Sequence, residues 1–199
     1  MRVIRVGEHA LLVEVDDFAE AQALYAQAQK YCSAVDVVPG ARTVLFDGVG
    51  DPDALAEQLP GWSLTAAETL SGPVVEVPTR YDGDDLTEVA RHWGSSPAEV
   101  VRTHSETLFT VAFCGFAPGF AYCIGLPVQL AVPRRASPRS RVPAGAVGLA
   151  DAYTGVYPRA TPGGWQLIGH TDITLWNPVA DPPALLTPGT RVRFVPVDR

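Results

Sequence analysis

Lysine is almost missing from this chain: fourteen arginines stand against a single lysine, Lys30. Cysteine occurs three times, at Cys32, Cys114 and Cys123, an odd number with no CxxC pair. That excludes a disulfide framework and a cysteine-based zinc site. No apolar run approaches the roughly 20 residues of a membrane span. The opening Met1-Arg2-Val3-Ile4-Arg5-Val6 lacks the apolar stretch and small-residue cleavage site of a secretory signal. A cytoplasmic protein that does not cross a membrane is therefore expected. No GxSxG frame, Walker-type phosphate loop or cluster of metal-ligating side chains is present, so no metal site is expected. Residues 107–199 contain only four acids, Asp151, Asp172, Asp181 and Asp198, too few to suggest a complete ATP-hydrolysing apparatus.

What is present divides unevenly. The chain has 199 residues, 47% of them hydrophobic, enough for one large domain or two small ones. The net charge of −7 splits into −11 over residues 1–106 and +4 over residues 107–199. The positive potential of the second half would draw an anionic ligand or an acidic surface, unless it only complements the first half. Two domains are predicted, a small α+β domain over residues 1–72 and a mainly-β domain over residues 73–199, with a linker at Leu70-Ser71-Gly72-Pro73.

In the first domain, residues 3–6 and 11–15 form a hairpin pattern around Gly7. Asp16 or Asp17 caps a helix, residues 35–38 and 43–46 form a second hairpin, and Asp51 with Pro52 opens another helix. The order ββαββα predicts helices on one face of an antiparallel sheet, a ferredoxin-like sandwich. In the second domain, residues 74–77 read as a strand. Asp84 or Asp85 caps a helix carrying Leu86, Val89, Ala90 and Trp93, and Ser96-Pro97-Ala98-Glu99 is a capping box opening the next. This helix–turn–helix is too acidic to read DNA, which needs clustered positive charge. No nucleic-acid partner is expected. Residues 108–113 alternate as a half-buried strand, with Phe109, Val111 and Phe113 on one side. Residues 147–149, 166–168, 173–176 and 192–197 read as further strands, and many short strands between Gly/Pro turns predict a closed barrel.

Nine glycines and seven prolines lie between Gly115 and His170, interleaved with aromatic residues. Gly115, Gly119 and Gly125 bracket Phe116, Phe120 and Tyr122, with Pro118 in the first turn. Such turns can expose amides as an anion nest, and the flanking rings can wall a pocket or simply fill the core. Arg134, Arg135, Arg139 and Arg141 fall within eight residues, stiffened by Pro133, Pro138 and Pro143. A guanidinium fork suits carboxylate or phosphate, so this run reads as ligand-binding, as a docking surface or as a solvated loop. Thr154, Tyr157 and Trp165 offer donors beside Gly163 and Gly164. His104, at a helix end, is either a structural histidine or a catalytic one.

The ordered motifs GFAPGFAY, PRRASPRSRVPAG, TGVYP and PGGWQLIGHT resemble the family that includes the B subunit of 5-oxoprolinase (PxpB), the sporulation kinase inhibitor KipI and proteins labelled allophanate hydrolase subunit 1. The resemblance implies a cyclophilin-like β-barrel for the motif-bearing half. It also implies a second subunit of related fold (the PxpC or KipA type) as partner, and a third, PxpA-type subunit as a further one. ATP would be consumed in the assembled complex, on a small carboxylate or amide substrate. The implied reaction is ATP-dependent hydrolysis of 5-oxoproline to glutamate. A urea-derived substrate, a half of a urea carboxylase carboxyltransferase domain, or inhibition of a histidine kinase without catalysis are the other implied roles.

Carried onto this chain, the candidate catalytic residues are His104, Tyr122 and Arg139. The candidate ligand-binding residues are Gly115, Phe116, Pro118, Gly119, Phe120, Arg134, Pro143, Gly145, Thr154, Tyr157, Gly163, Gly164 and Trp165. Arg134 and Arg139 match the family's PR…PR pattern and are expected to face the groove built by Gly115–Tyr122 and Pro162–Trp165 and to bind an anionic group. Two positions depart from the pattern. Ala146 stands where the family has serine, and Asp151-Ala152-Tyr153 where it has Gly-x-Gln, so both lose hydrogen-bonding side chains expected in the groove.

Overall fold

The computed structural model describes residues 1–62, 64 and 74–198, and the expected linker at residues 70–73 lies outside them. The chain falls into two compact units, Met1–Leu70 and Ser71–Arg199.

In the first unit, strands β1 (Arg2–Arg5), β2 (Leu11–Glu14), β3 (Asp36–Pro39) and β4 (Thr43–Asp47) form an antiparallel sheet in the order β1-β2-β4-β3. Helix α1 (Phe18–Tyr31) connects β2 to β3 across the intervening β4, a split β–α–β arrangement. Local chemistry sets the helix starts. Asp17 caps α1 through the amide of Glu20, and Asp51 caps α2 (Pro52–Gln58) through the amide of Ala54. Leu11, Val13, Leu24, Val44 and Phe46 form the core between helix and sheet.

The second unit is built on a seven-stranded sheet. Its strands are β5 (Val74–Thr79), β6 (Phe109–Cys114), β7 (Ala121–Ile124), β9 (Ala146–Ala150), β10 (Tyr153–Val156), β12 (Gln166–His170) and β13 (Arg191–Pro196). They lie in the order β12-β9-β10-β7-β6-β13-β5. A bridge between Arg80 and His170, with amide–carbonyl hydrogen bonds of 2.8 and 2.7 Å, joins the two ends of the sheet. The result is a nearly closed, barrel-like sheet in a mixed α/β fold. Helices α3 (Leu86–His92) and α4 (Pro97–Glu106) pack on it, α4 opening with the expected Ser96/Glu99 capping box. A separate two-stranded ribbon, β8 (Arg139–Val142) with β11 (Thr161–Gly163), carries two of the clustered arginines.

Three expectations about elements change. Residues 173–176 are not a strand: only Trp176 makes a bridge, to Ala184, while the Leu175 carbonyl accepts from Leu185. The alternation over residues 108–113 breaks at a bulge between Val111 and Phe113, which turns Phe113 onto the Tyr122 ring instead of into the core. The arginine segment, to which the sequence assigns no strand, contributes strand β8. Among the described residues, no helix is long and apolar enough to cross a membrane.

Candidate functional site

The loop between β6 and β7 is wound tightly on itself. The Ala117 amide donates to the Gly115 carbonyl at 2.7 Å around Phe116, whose φ is +67°. This γ-type turn is rare and strained for a residue with a side chain, and such strain persists where the surroundings enforce it. Gly119 sits at φ +82° with Trp176 so close that an added Cβ would lie 2.8 Å from the Trp176 Cβ. Phe116 is thereby held outward, 59% exposed, at the rim of a cleft of about 440 Å³ that also meets Pro118, Trp176 and Ala184. The Gly115, Ala117 and Phe120 amides are all bonded to carbonyls within the loop, so most of the expected anion nest is already occupied.

Behind Phe116 lies a cluster of rings. Phe120 touches Phe116, Tyr122, Tyr157 and Trp165, with centroid distances of 5.0–5.3 Å. Tyr122 also stacks on Phe113 at 4.5 Å and meets Tyr153 at 5.7 Å. Phe120, Tyr157 and Trp165 are buried and form the floor, whereas Phe116 is exposed and Tyr122 and Tyr153 half-exposed. The two motif regions around Gly115 and Trp165 therefore do meet, as the sequence predicts. Gly163 lies under the Tyr157 ring, and Gly164 accepts the Arg135 amide at 2.7 Å. Burial raises the Tyr122 and Tyr157 phenols above their ordinary pKa, and the positive charge of Arg134 partly opposes the rise in both.

The four clustered arginines are sorted by Asp85. The sequence offers Asp84 or Asp85 as the cap of α3; Asp85 takes the cap position, but its side chain makes no capping bond. Instead the buried carboxylate, 4% exposed, accepts from the Leu167 amide at 2.7 Å, from Arg135 Nη1 at 2.7 Å and from Arg139 Nη2 at 2.9 Å. Burial alone would raise its pKa. The Arg139 hydrogen bond, the Leu167 amide and the two guanidinium charges outweigh that and hold it below the ordinary carboxylate range. Arg139 is correspondingly raised by its bond to Asp85, and its remaining Nη1 is shielded from solvent and unpaired. Arg139 is thus held mainly by Asp85 and not in the aromatic cluster. Arg141 lines a separate cavity of about 190 Å³ together with Asp82, Asp84, Arg139 and Pro143. Arg134 and Arg141 are exposed; the Arg134 side chain is 60% exposed, and its ion pair is a 3.9 Å contact between Nε and Asp151.

Three further expected site residues belong to the scaffold. His104 is fully buried between Phe109 and Phe194. Its Nδ1 accepts from the Tyr81 hydroxyl at 2.8 Å, and its Nε2 donates at 2.8 Å to Thr154 Oγ1, which donates in turn to the Gly148 carbonyl. Desolvation lowers the His104 pKa to about 3, so the ring is neutral and inaccessible, and Thr154 is buried with it. Gly145, at φ +80°, packs against the Thr171 carbonyl so tightly that an added Cβ would lie 2.1 Å away. Pro143 faces the Asp84–Arg141 cavity instead of the rings. Of the two departures from the family pattern, Ala146 is buried in β9, and Tyr153 adds a ring to the exposed aromatic face. Asp151 occupies a two-residue turn at φ +52° and bonds through its backbone to Val132.

At the rim, burial raises the Cys114 thiol to about 11, so it stays protonated near neutral pH and is no nucleophile. Among the described residues no group of three or more His, Cys, Asp or Glu side chains could hold a metal ion. Among the described residues the arrangement offers binding surface, exposed guanidinium groups and hydroxyl donors, and no activated nucleophile.

The sequence profile of the carboxyltransferase domain, subdomain C and D, matches residues 1–186. The chain is similar to the B subunit of 5-oxoprolinase from Escherichia coli O157:H7, 42% identical over 209 residues, covering 98% of this chain and 95% of that protein. It is also similar to the crystal structure of TTHA0988, with a TM-score of 0.77 and 33% identity over 96% of this chain. It spans only 40% of the TTHA0988 chain. A fold likeness extends to the urea carboxylase of Kluyveromyces lactis, with a TM-score of 0.71 and 20% identity, covering 98% of this chain and 22% of that one.

Proposed function

This chain belongs to the carboxyltransferase-domain family, subdomains C and D, and from that premise we propose that it is a non-autonomous subunit of an ATP-dependent amidohydrolase, a 5-oxoprolinase converting 5-oxoproline to glutamate. The single observation that carries the reading is the aromatic cluster behind the β6–β7 loop, with Arg134 exposed near Tyr122 and no activated nucleophile among the described residues: a surface that can hold a substrate but lacks the means to cleave it. The 42% identity to a protein named as the B subunit of 5-oxoprolinase supports the choice of reaction. The substrate is a lactam ring bearing one carboxylate. The ring would lie against Phe116 and Tyr122, and the carboxylate would meet Arg134.

The first unit is a ferredoxin-like sandwich in this reading, supported by its split β–α–β order, and the second is a cyclophilin-like barrel, supported by its nearly closed sheet. The partner is a second barrel-type subunit of the PxpC or KipA type, with a PxpA-type subunit completing the assembly. The three free cysteines suit a reducing compartment, in keeping with a cytoplasmic location. ATP use belongs to the assembly; in this chain two of the clustered arginines are tied to Asp85, and three amides of the glycine loop are bonded within it, which leaves little of a triphosphate cradle there.

Co-expression with a tagged second barrel-type subunit tests the assembly. A stoichiometric complex that survives gel filtration is expected. A chain that ignores that subunit and instead co-purifies with a histidine kinase would replace the enzyme reading by that of an inhibitor.

A further inference from the structure

The cavity of about 190 Å³ between residues 82–84, ribbon strand β8 and barrel strand β12 is lined by none of the exposed rings. It carries both signs of charge. Arg141 borders it from β8, and Asp82 and Asp84 border it from the loop ahead of α3. Arg141 is exposed and makes no hydrogen bond or ion pair among the described residues. Among those residues Asp82 has only a 3.7 Å contact to Arg80, and Asp84 only a 3.7 Å contact to Arg139. Both carboxylates are more than half exposed. Opposite charges thus border one small cavity without neutralising each other.

Both walls are fixed in place. Gly83 lies so close to β12 that an added Cβ would sit 2.4 Å from the Leu167 carbonyl oxygen. The Asp85 amide donates to that carbonyl at 2.9 Å, and the Asp85 carboxylate accepts from the Leu167 amide at 2.7 Å. On the other side Arg139 is tied to Asp85 and Val142 is fully buried, so Arg141 stands between two anchored positions. His170 also borders the cavity, with both ring nitrogens engaged: Nε2 donates to the Ala144 carbonyl at 3.1 Å, and Nδ1 accepts from Arg80 Nη2 at 3.2 Å. Ala146 and Leu167 are buried and add only apolar side chains, so polar recognition rests on the charged walls. A preorganised guanidinium facing preorganised carboxylates matches a small molecule that bears an anion and a cation close together.

We infer that this cavity is a ligand site separate from the aromatic face and that it takes an α-amino acid as its zwitterion, the carboxylate on Arg141 and the ammonium between Asp82 and Asp84. Naming that amino acid as glutamate rests on the proposed 5-oxoprolinase role. Hydrolysis adds water across the lactam C–N bond: the acyl carbon becomes the side-chain carboxylate, and the nitrogen becomes the α-ammonium. The α-carboxylate is common to substrate and product, whereas the ammonium belongs to the product alone. The site therefore separates glutamate from 5-oxoproline, with the glutamate side chain directed to solvent.

The test is isothermal titration of the full chain, and of its complex with the second subunit, with glutamate, alanine, N-acetylglutamate, glutamate α-amide and 5-oxoproline. Glutamate and alanine should bind. N-acetylglutamate lacks the ammonium and the α-amide lacks the α-carboxylate, so each should bind about ten- to a hundredfold more weakly than glutamate. Arg141→Ala and Asp84→Asn should weaken glutamate by a similar factor. Arg141→Lys should fall between, because it keeps the charge and loses the fork. Arg159→Ala removes an exposed charge outside the cavity and should leave glutamate binding unchanged. Binding of 5-oxoproline should respond to none of these substitutions. Unchanged glutamate affinity in Arg141→Ala or Asp84→Asn, or equal affinity for N-acetylglutamate, would overturn the inference and leave the 5-oxoprolinase role standing. Binding of alanine but not of glutamate, lost in Arg141→Ala, would keep the site and count against that role. Binding of no amino acid by either the chain or the complex would overturn the inference.

Discussion

Asp85 and Arg139, fifty-four positions apart, share a hydrogen bond of 2.9 Å between a buried carboxylate and a largely buried guanidinium. Together with Arg135 and the Leu167 amide, this contact ties α3, ribbon strand β8 and barrel strand β12 into one unit. Asp85→Ala should therefore destabilise the protein by about 3 kcal/mol, because it strands a guanidinium with little access to water. Arg135 is more than a third exposed, so water screens its share and most of the loss comes from Arg139 and Leu167. Asp85→Asn keeps an acceptor for the Leu167 amide and should cost about 1–2 kcal/mol. Denaturant midpoints of the two variants check the ranking.

The buried His104 makes stability depend on acid. Its pKa is about 3 when folded, against an ordinary value of 6.5 when unfolded. Below the unfolded value the unfolded chain takes up a proton that the folded chain refuses, so stability falls as pH drops from about 6.5 toward about 3. The contribution is about 1.4 kcal/mol per pH unit inside that window. His104→Gln should be less stable at pH 7 but lose stability less steeply between pH 6 and pH 4. Equal slopes for the two proteins would show that His104 is not neutral in the core.

Phe116 separates strain from function. Its φ of +67° suits glycine, so Phe116→Gly should relieve about 1 kcal/mol of backbone strain that Phe116→Ala retains. Both variants lose the exposed ring and should bind the lactam ligand more weakly. Melting temperatures should rank glycine above alanine, with affinities reduced in both.

Gly145 is expected to be a folding residue. An added Cβ would meet the Thr171 carbonyl at 2.1 Å, beside the seam where Arg80 and His170 close the sheet. Gly145→Ala should cost about 3 kcal/mol or more from clash and strained φ combined. It should reduce soluble yield, whereas a ligand-binding glycine would leave the yield intact and lower only affinity.

The sequence is most legible where a structure depends on near neighbours. Asp17, Asp51 and the Ser96–Glu99 box cap helices that begin where their chemistry places them. The meeting of the two aromatic motifs follows from the family resemblance. Asp85 is out of reach, because its partners lie 50, 54 and 82 residues away and a local cap explains it equally well. The same distance problem hides which arginines Asp85 engages: residues of one type within eight positions differ only in what folds against them. Strands β8 and β11 are too short and too rich in proline and arginine to show a period. Phe113 departs from its expected face because one bulge shifts the alternation by a residue.

The central claim is that this chain supplies a binding surface and not a complete catalyst. The most direct measurement is ATP-dependent release of glutamate from 5-oxoproline by the purified chain alone, by its partner subunits alone, and by the two together. The account predicts turnover only in the reconstituted mixture, and its loss when this chain is omitted. Turnover by the chain alone at the rate of the mixture, or full turnover by the partner subunits without it, would contradict the account.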